Sequence, residues 1–188
     1  MTSTPLIVGL GGSLRARSYS RLALQTALAM TAEQGAEVEL LDVKELDLPM
    51  FYPDMPVGAY SVFQQPAIVR LVETCRRADA MIWASPTYHG TVSGVVKNAL
   101  DFLELLSDDD PPYLTGRAVG LIAVSDQSTF PAMIEAVYEL RAWLTPTRVT
   151  VNRRDFDAEH TLVNERVEHR LRRMVGELLA FAHRHDKS

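Results

Sequence analysis

Leu6-Ile-Val-Gly-Leu-Gly-Gly-Ser-Leu-Arg-Ala-Arg-Ser-Tyr-Ser20 is the stretch on which the reading of the fold turns. A short apolar run enters a pair of glycines, a polar loop follows, and helix formers begin at about Ser20. The helical spacing of Leu24, Ala27 and Leu28 carries on to about Gln34, where Gly35 ends it. That is a buried strand, a loop and a helix in sequence. The same unit recurs outward from it. Glu37–Asp42 alternates as a strand near a sheet edge would, and Gln65–Arg77 is helical after the Pro-rich surface excursion Asp47–Pro56. Asp79–Ala84 is a third strand. Ser93, placed as an N-cap, opens a helix to about Leu106 that the prolines at 111 and 112 follow. Ala118–Val124 is a fourth strand, with a helix to about Leu144, and Val149–Val151 is a short fifth. A last helix spaces Val167, Leu171, Met174 and Leu178 along one face. Strands that alternate with helices predict an α/β fold, a three-layer sandwich with a five-stranded parallel sheet covered on both faces. In such sheets ligands bind at the carboxyl ends of the strands, near the point where strand order reverses.

Composition narrows the class without naming a chemistry. The 188 residues are 47% hydrophobic and 23% charged, as expected of one globular domain over residues 1–188, which excludes collagen-like and disordered chains. A lone cysteine, Cys75, excludes an intrachain disulfide and a dithiol redox centre, and no Cys/His spacing suggests a metal site. No apolar run is long enough to span a membrane, and no signal-peptide pattern opens the chain, so the expected location is cytoplasmic. The net charge of −5 argues against a nucleic-acid surface. Residues 148–188 are basic on balance, but Arg166, Arg170, Arg172 and Arg173 share their helix with Glu165, Glu168 and Glu177, which reads as a solvated face.

Three loops remain as candidates for chemistry. In the first, Ser13, Arg15, Ser18 and Ser20 fall within eight residues ahead of a helix. Backbone N–H groups at a helix start, hydroxyl donors and a guanidinium fork are what a phosphate monoester needs. An ordinary Ser-rich turn with an N-cap is the plainer alternative. A P-loop requires Gly-Lys-Ser/Thr, which does not occur, and the dinucleotide fingerprint that starts at Gly9-Leu-Gly11 meets Leu14 where its third glycine belongs. Asp42 could serve as a ribose-binding acid in that second reading or simply close its strand. The second loop, Ser85-Pro-Thr-Tyr-His-Gly90, offers an irregular backbone and the aromatic face of Tyr88, suited to the edges and faces of a planar heterocycle. His89 invites a general-base reading, but it has no recognisable partner and no Gly-x-Ser-x-Gly elbow accompanies it, because position 15 is arginine. The third loop, Ser125-Asp-Gln-Ser-Thr-Phe-Pro131, is polar and nonspecific as a motif.

In this order, Gly12-Ser-Leu-Arg15 with Ser18 and Ser20, Leu46-Asp-Leu-Pro49, and Ser85-Pro-Thr-Tyr-His-Gly90 continuing to Lys97-Asn-Ala-Leu-Asp-Phe102 resemble the NADPH-dependent FMN reductase family. The resemblance runs from the first strand to about Leu144. It implies a flavodoxin-like fold with FMN at the strand carboxyl ends and NAD(P)H as hydride donor. By matching position, Ser13, Arg15, Ser18, Tyr19 and Ser20 would bind the phosphate. Pro86, Thr87, Tyr88, His89 and Gly90 would line the ring, with Ser125 nearby. Many members carry paired glycines where this chain has Ser125-Asp126-Gln127. Hydride would pass from NAD(P)H to FMN and on to a flavin, quinone, azo compound or metal oxyanion. FMN would be either a bound group or a diffusible substrate passed reduced to a monooxygenase. No catalytic acid or base is assigned, since a flavin would carry the difficult chemistry. A homodimer or homotetramer through the 93–106 helix is the implied assembly, and the second wall of the flavin pocket could come from a neighbouring subunit. A flavodoxin-like electron carrier or a flavin-binding module without nicotinamide turnover is the alternative.

Overall fold

The computed structural model describes residues 4–185. Five parallel strands form its centre: β1 (Leu6–Gly11), β2 (Glu37–Asp42), β3 (Ala80–Tyr88), β5 (Ala118–Val124) and β6 (Trp143–Val151). They lie in the order β2-β1-β3-β5-β6, and a two-residue strand, β4 (Thr91–Val92), pairs antiparallel with the end of β3. The helices are α1 (Tyr19–Ala32), α2 (Val43–Leu46), α3 (Gln65–Arg77), α4 (Gly94–Asp101), α5 (Phe130–Glu139) and α6 (Glu165–His185). The chain leaves β1 for β2 on one side and returns to β3 on the other, so strand order reverses between the carboxyl ends of β1 and β3.

Alternation along the strands divides the interior in two. Met81, Trp83, Val119 and Leu121 face α3, α4 and α5, joined by Leu71, Phe102 and Val137. Ala80, Ile82, Ala118 and Ile122 face α1 and α6, where they meet Leu24, Leu171, Met174 and Leu178. Both faces are covered by helices, which is why the central strands read as unbroken apolar runs. Gly120 lets α6 approach, since a Cβ there would lie 2.8 Å from Met174 Sδ. The last helix buries the four residues its spacing singled out, Val167, Leu171, Met174 and Leu178.

Several expected boundaries move. The helix after the fourth strand ends at Glu139 rather than near Leu144, and the final strand begins at Trp143 rather than Val149. β6 lies at the sheet edge with a register irregularity opposite Val119–Leu121, a place where Pro146 removes no needed ladder bond. The one-turn α2 is additional, with Asp42 as its N-cap accepting from Lys44 N at 3.0 Å. The 93–106 helix is α-helical to Asp101 and a tighter 3-10 coil over Phe102–Leu106. Ser93 precedes it without capping; its buried Oγ has no partner among the described residues, while its N–H donates to Ser85 Oγ at 3.0 Å. Asp109, in the expected solvated turn, instead takes Arg76 Nε at 2.7 Å, and that guanidinium holds its carboxyl below the usual range. On the basic face of α6, Arg172 pairs with Glu168 and with Glu33, Arg173 pairs with Glu177, and Arg170 Nη2 donates to Arg148 O.

Candidate functional site

The site begins where β1 must pass β3. A Cβ on Gly11 would sit 2.0 Å from Ala84 O, and Gly12, at φ +109, donates its N–H to that same carbonyl at 3.1 Å. Only glycine permits this approach. It holds the following loop over the carboxyl end of the sheet. Beyond Ala84, β3 continues without β1 beside it. Ala84 O points to the β1 side, so the nitrogen of Pro86, two residues on, faces the space β1 has left, and its missing N–H breaks no ladder bond. Ser85 and Pro86 are therefore strand residues, paired with Ala123 and Val124, rather than part of a loop.

In the first loop three serine hydroxyls form a buried chain. Ser13 Oγ donates to Ser18 Oγ at 3.0 Å, and Ser18 Oγ and Ser20 Oγ lie 3.0 Å apart. Ser18 is also the N-cap of α1, accepting from Arg21 N at 3.2 Å. The helix start thus holds donors that satisfy one another, at a place where helix dipole and backbone N–H groups favour an anion. Between them Leu14, Arg15, Ala16 and Arg17 are exposed. The Arg15 guanidinium stands 5.8 Å from the centre of the Tyr88 ring, bridging the first loop and the end of β3.

The second segment is a hairpin. Tyr88 pairs with Thr91 across His89 and Gly90, at φ +52 and +81, the positive pair a tight two-residue turn requires. Ser85 Oγ ties its base by accepting from Ser93 N and donating to Pro86 O at 2.8 Å. Thr87 and Thr129 hydroxyls meet at 2.6 Å, joining this hairpin to the loop after β5. In that loop Ser125 takes φ +86, a strained conformation for a residue with a side chain, and its N–H donates to Val151 O at 2.9 Å. Asp126 caps the following turn through Ser128 N at 2.7 Å, and its bonds to Ser128 lower its carboxyl pKa.

One cleft of about 220 Å³ brings together Ser13, Arg15, Ser18, Tyr19, Ser20, Pro86, Thr87, Tyr88 and Ser125. His89 and Gly90 are not among its lining residues; they form the exposed tip of the hairpin. The cleft also includes Arg17 and Val124, which sequence reasoning left out. Arg17 repeats Arg15 at a spacing of two, the one signal that could have marked it. Asp42 closes its strand, caps α2 and pairs with Arg21 Nη1 at 3.4 Å, so its carboxylate is occupied inside the fold. The described residues hold no group of three or more His, Cys, Asp or Glu able to bind a metal.

These residues suit FMN by their own chemistry. The buried hydroxyls, the capped helix start and an exposed arginine match a terminal phosphate. The strand-end wall of Pro86, Thr87 and Tyr88 offers a surface for a flat ring. A flavodoxin-like α/β domain with a polar cleft at its switch point is the class that this fold and cleft define. The chain belongs to the NADPH-dependent FMN reductase family, which matches residues 5–160. It is 36% identical over 96 residues to the NAD(P)H-dependent FMN reductase PA1204 of Pseudomonas aeruginosa, covering 51% of this chain and 48% of that protein. It is 29% identical over 187 residues to an NADPH:quinone oxidoreductase of Arabidopsis thaliana, covering 93% and 90%. Its structure aligns with FerB, a flavoenzyme NAD(P)H:(acceptor) oxidoreductase of Paracoccus denitrificans, at TM-score 0.74 and 19% identity, covering 97% of this chain and 99% of that one.

Proposed function

We propose that this protein binds FMN in the cleft and uses NAD(P)H to reduce it, passing the electrons to a small acceptor such as a free flavin, a quinone, an azo compound or a metal oxyanion. The observation that carries the reading is the convergence of the serine chain, Arg15 and the Pro86–Tyr88 wall on one cleft at the strand carboxyl ends. Ser13, Ser18, Ser20 and Arg15 hold the phosphate. Tyr88 and Pro86 set the plane of the ring, and the Thr87–Thr129 bond fixes the wall against the loop after β5. FMN, when bound, supplies the hydride acceptor and the electron donor; no side chain here needs to act as acid or base. The quinone and FMN reductases among its relatives support the acceptor class.

A cleft of about 220 Å³ falls short of the roughly 300–1,000 Å³ of a complete small-molecule pocket, which supports a ring wall completed by a second subunit. The surface proposed for that assembly is the 93–106 segment. Most of its apolar residues, including Val96, Phe102 and Leu106, are buried in its own core, so its apolar excess alone does not require a partner. Beside it, however, a groove of about 660 Å³ runs between α4 and α5 over Phe51, Leu100, Ala136 and Leu140. A dimer or tetramer covering that groove is the assembly we propose. No helix among the described residues is long and apolar enough to cross a membrane, and a cytoplasmic location suits the nicotinamide donor.

Oxidation of NADPH and NADH by the purified protein, with and without added FMN, tests the reading. Turnover without added flavin marks a bound group. Turnover only with it marks a diffusible substrate, of the kind a monooxygenase partner would consume. No oxidation in either condition refutes the proposal and leaves the electron-carrier alternative.

A further inference from the structure

Beside the cleft lies a second cavity, of about 260 Å³, bounded by Ala16, Arg17, Ser18, Arg21, Leu22 and His160. Arg17 and Ser18 line both, so the two adjoin at the phosphate end. It shares none of Pro86, Thr87, Tyr88 or Ser125, the residues on the ring side. We propose that this cavity is a second anion subsite that takes the distal phosphate of a flavin dinucleotide whose first phosphate occupies the serine cradle. The inference rests on the assignment of the cradle to a flavin phosphate.

The charge of the cavity points to this occupant. Four cationic or hydrogen-bonding side chains, Arg17, Ser18, Arg21 and His160, line it and no acidic one does. Arg21 Nη1 is paired with Asp42, so its charge is neutralised within the fold, yet its Nε is buried without a partner among the described residues. Arg17 is exposed and makes no ion pair or hydrogen bond there, which leaves its charge uncompensated. His160 is half-buried and is placed by its loop rather than by chance. Its backbone N–H donates to Asp157 O at 3.3 Å, and Thr161 N donates to Asp157 Oδ1 at 2.8 Å. Asp155, itself buried, fastens the loop by accepting from Asn152 N and Asn164 Nδ2 at 2.6 and 2.7 Å. An uncompensated guanidinium and an imidazole on a fixed loop, one step beyond a phosphate cradle, suit an anion joined to the first.

Equilibrium titrations of flavin fluorescence with FMN and with FAD, on the wild-type protein and on Arg17→Ala and His160→Ala, test this. His160 lines only the second cavity, so it separates the two subsites. The expected result is that wild-type protein binds FAD within about tenfold of FMN, and that His160→Ala weakens FAD by about fivefold or more while leaving FMN within about twofold. Arg17→Ala should weaken FAD more than FMN. FAD binding about a hundredfold weaker than FMN in the wild type, or equal losses for both flavins in His160→Ala, overturns the proposal. So does a variant that raises the KM for NADPH over NADH with FAD affinity unchanged, because the anion would then belong to the nicotinamide nucleotide. If FMN itself does not saturate the protein, the cradle assignment fails and this subsite fails with it; if FMN binds and FAD does not, the subsite alone is refuted.

Discussion

Replacing Arg15 by alanine separates a binding role from a structural one. Its guanidinium is exposed and its one described contact is with the Tyr88 ring, at 5.8 Å to the centroid. An exposed cation–ring contact contributes about 0.5–1 kcal/mol, so Arg15→Ala should lower the melting temperature by only a few degrees at most. A charged hydrogen bond to phosphate contributes more, about 1.5–3 kcal/mol. At about 1.4 kcal/mol per decade, loss of that bond weakens FMN binding by about ten- to a hundredfold. Arg15→Lys keeps the charge but not the planar fork, and should fall between the two. The assay is a fluorescence titration of FMN on each variant, paired with thermal melts. Unchanged FMN affinity in Arg15→Ala would refute the assignment, and a large fall in melting temperature would show that Arg15 supports the fold instead.

Three further outcomes test the architecture. Gly11→Ala places a Cβ 2.0 Å from Ala84 O, a backbone atom that cannot yield, so the variant should be destabilised by more than about 3 kcal/mol, read by urea unfolding, or fail to fold. Glu177→Ala removes the carboxylate that accepts from Thr147 N at 2.9 Å and Thr147 Oγ1 at 2.7 Å, and should cost about 1–3 kcal/mol in the same measurement, where Glu177→Gln, retaining one acceptor, costs less. Cys75 is fully buried, and burial pushes its thiol up to about 12; native protein at pH 8 should therefore resist iodoacetamide until urea unfolds it, as followed by mass spectrometry.

The alternation of strands and helices, and the loops at their carboxyl ends, were legible because apolar runs and glycine punctuation report burial directly. The α3 span Gln65–Arg77 is found as read. β6 was not legible in full, because Trp143 to Arg148 sits on an edge with a proline and an irregular register, where alternation breaks. Ser85-Pro86 looked like a loop for a related reason: proline argues against a strand unless its neighbour has already ended, and that depends on where β1 stops. The serines were visible as hydroxyls at a helix start, but that they bond to one another was not. His89 lies in the same segment, but with its positive φ it stands at the tip of a hairpin, outside the lining of the cleft. Arg17 and His160 come from positions 143 residues apart in the chain, and only the packing of the 153–164 loop near α1 brings them to one cavity.

The central claim is that the serine cradle recognises the phosphate of FMN, and riboflavin, identical but for that phosphate, tests it most directly. Titrated side by side on the purified protein, FMN should bind more tightly than riboflavin by about tenfold or more, the contribution of at least one charged hydrogen bond. Equal affinities for the two flavins would contradict the account.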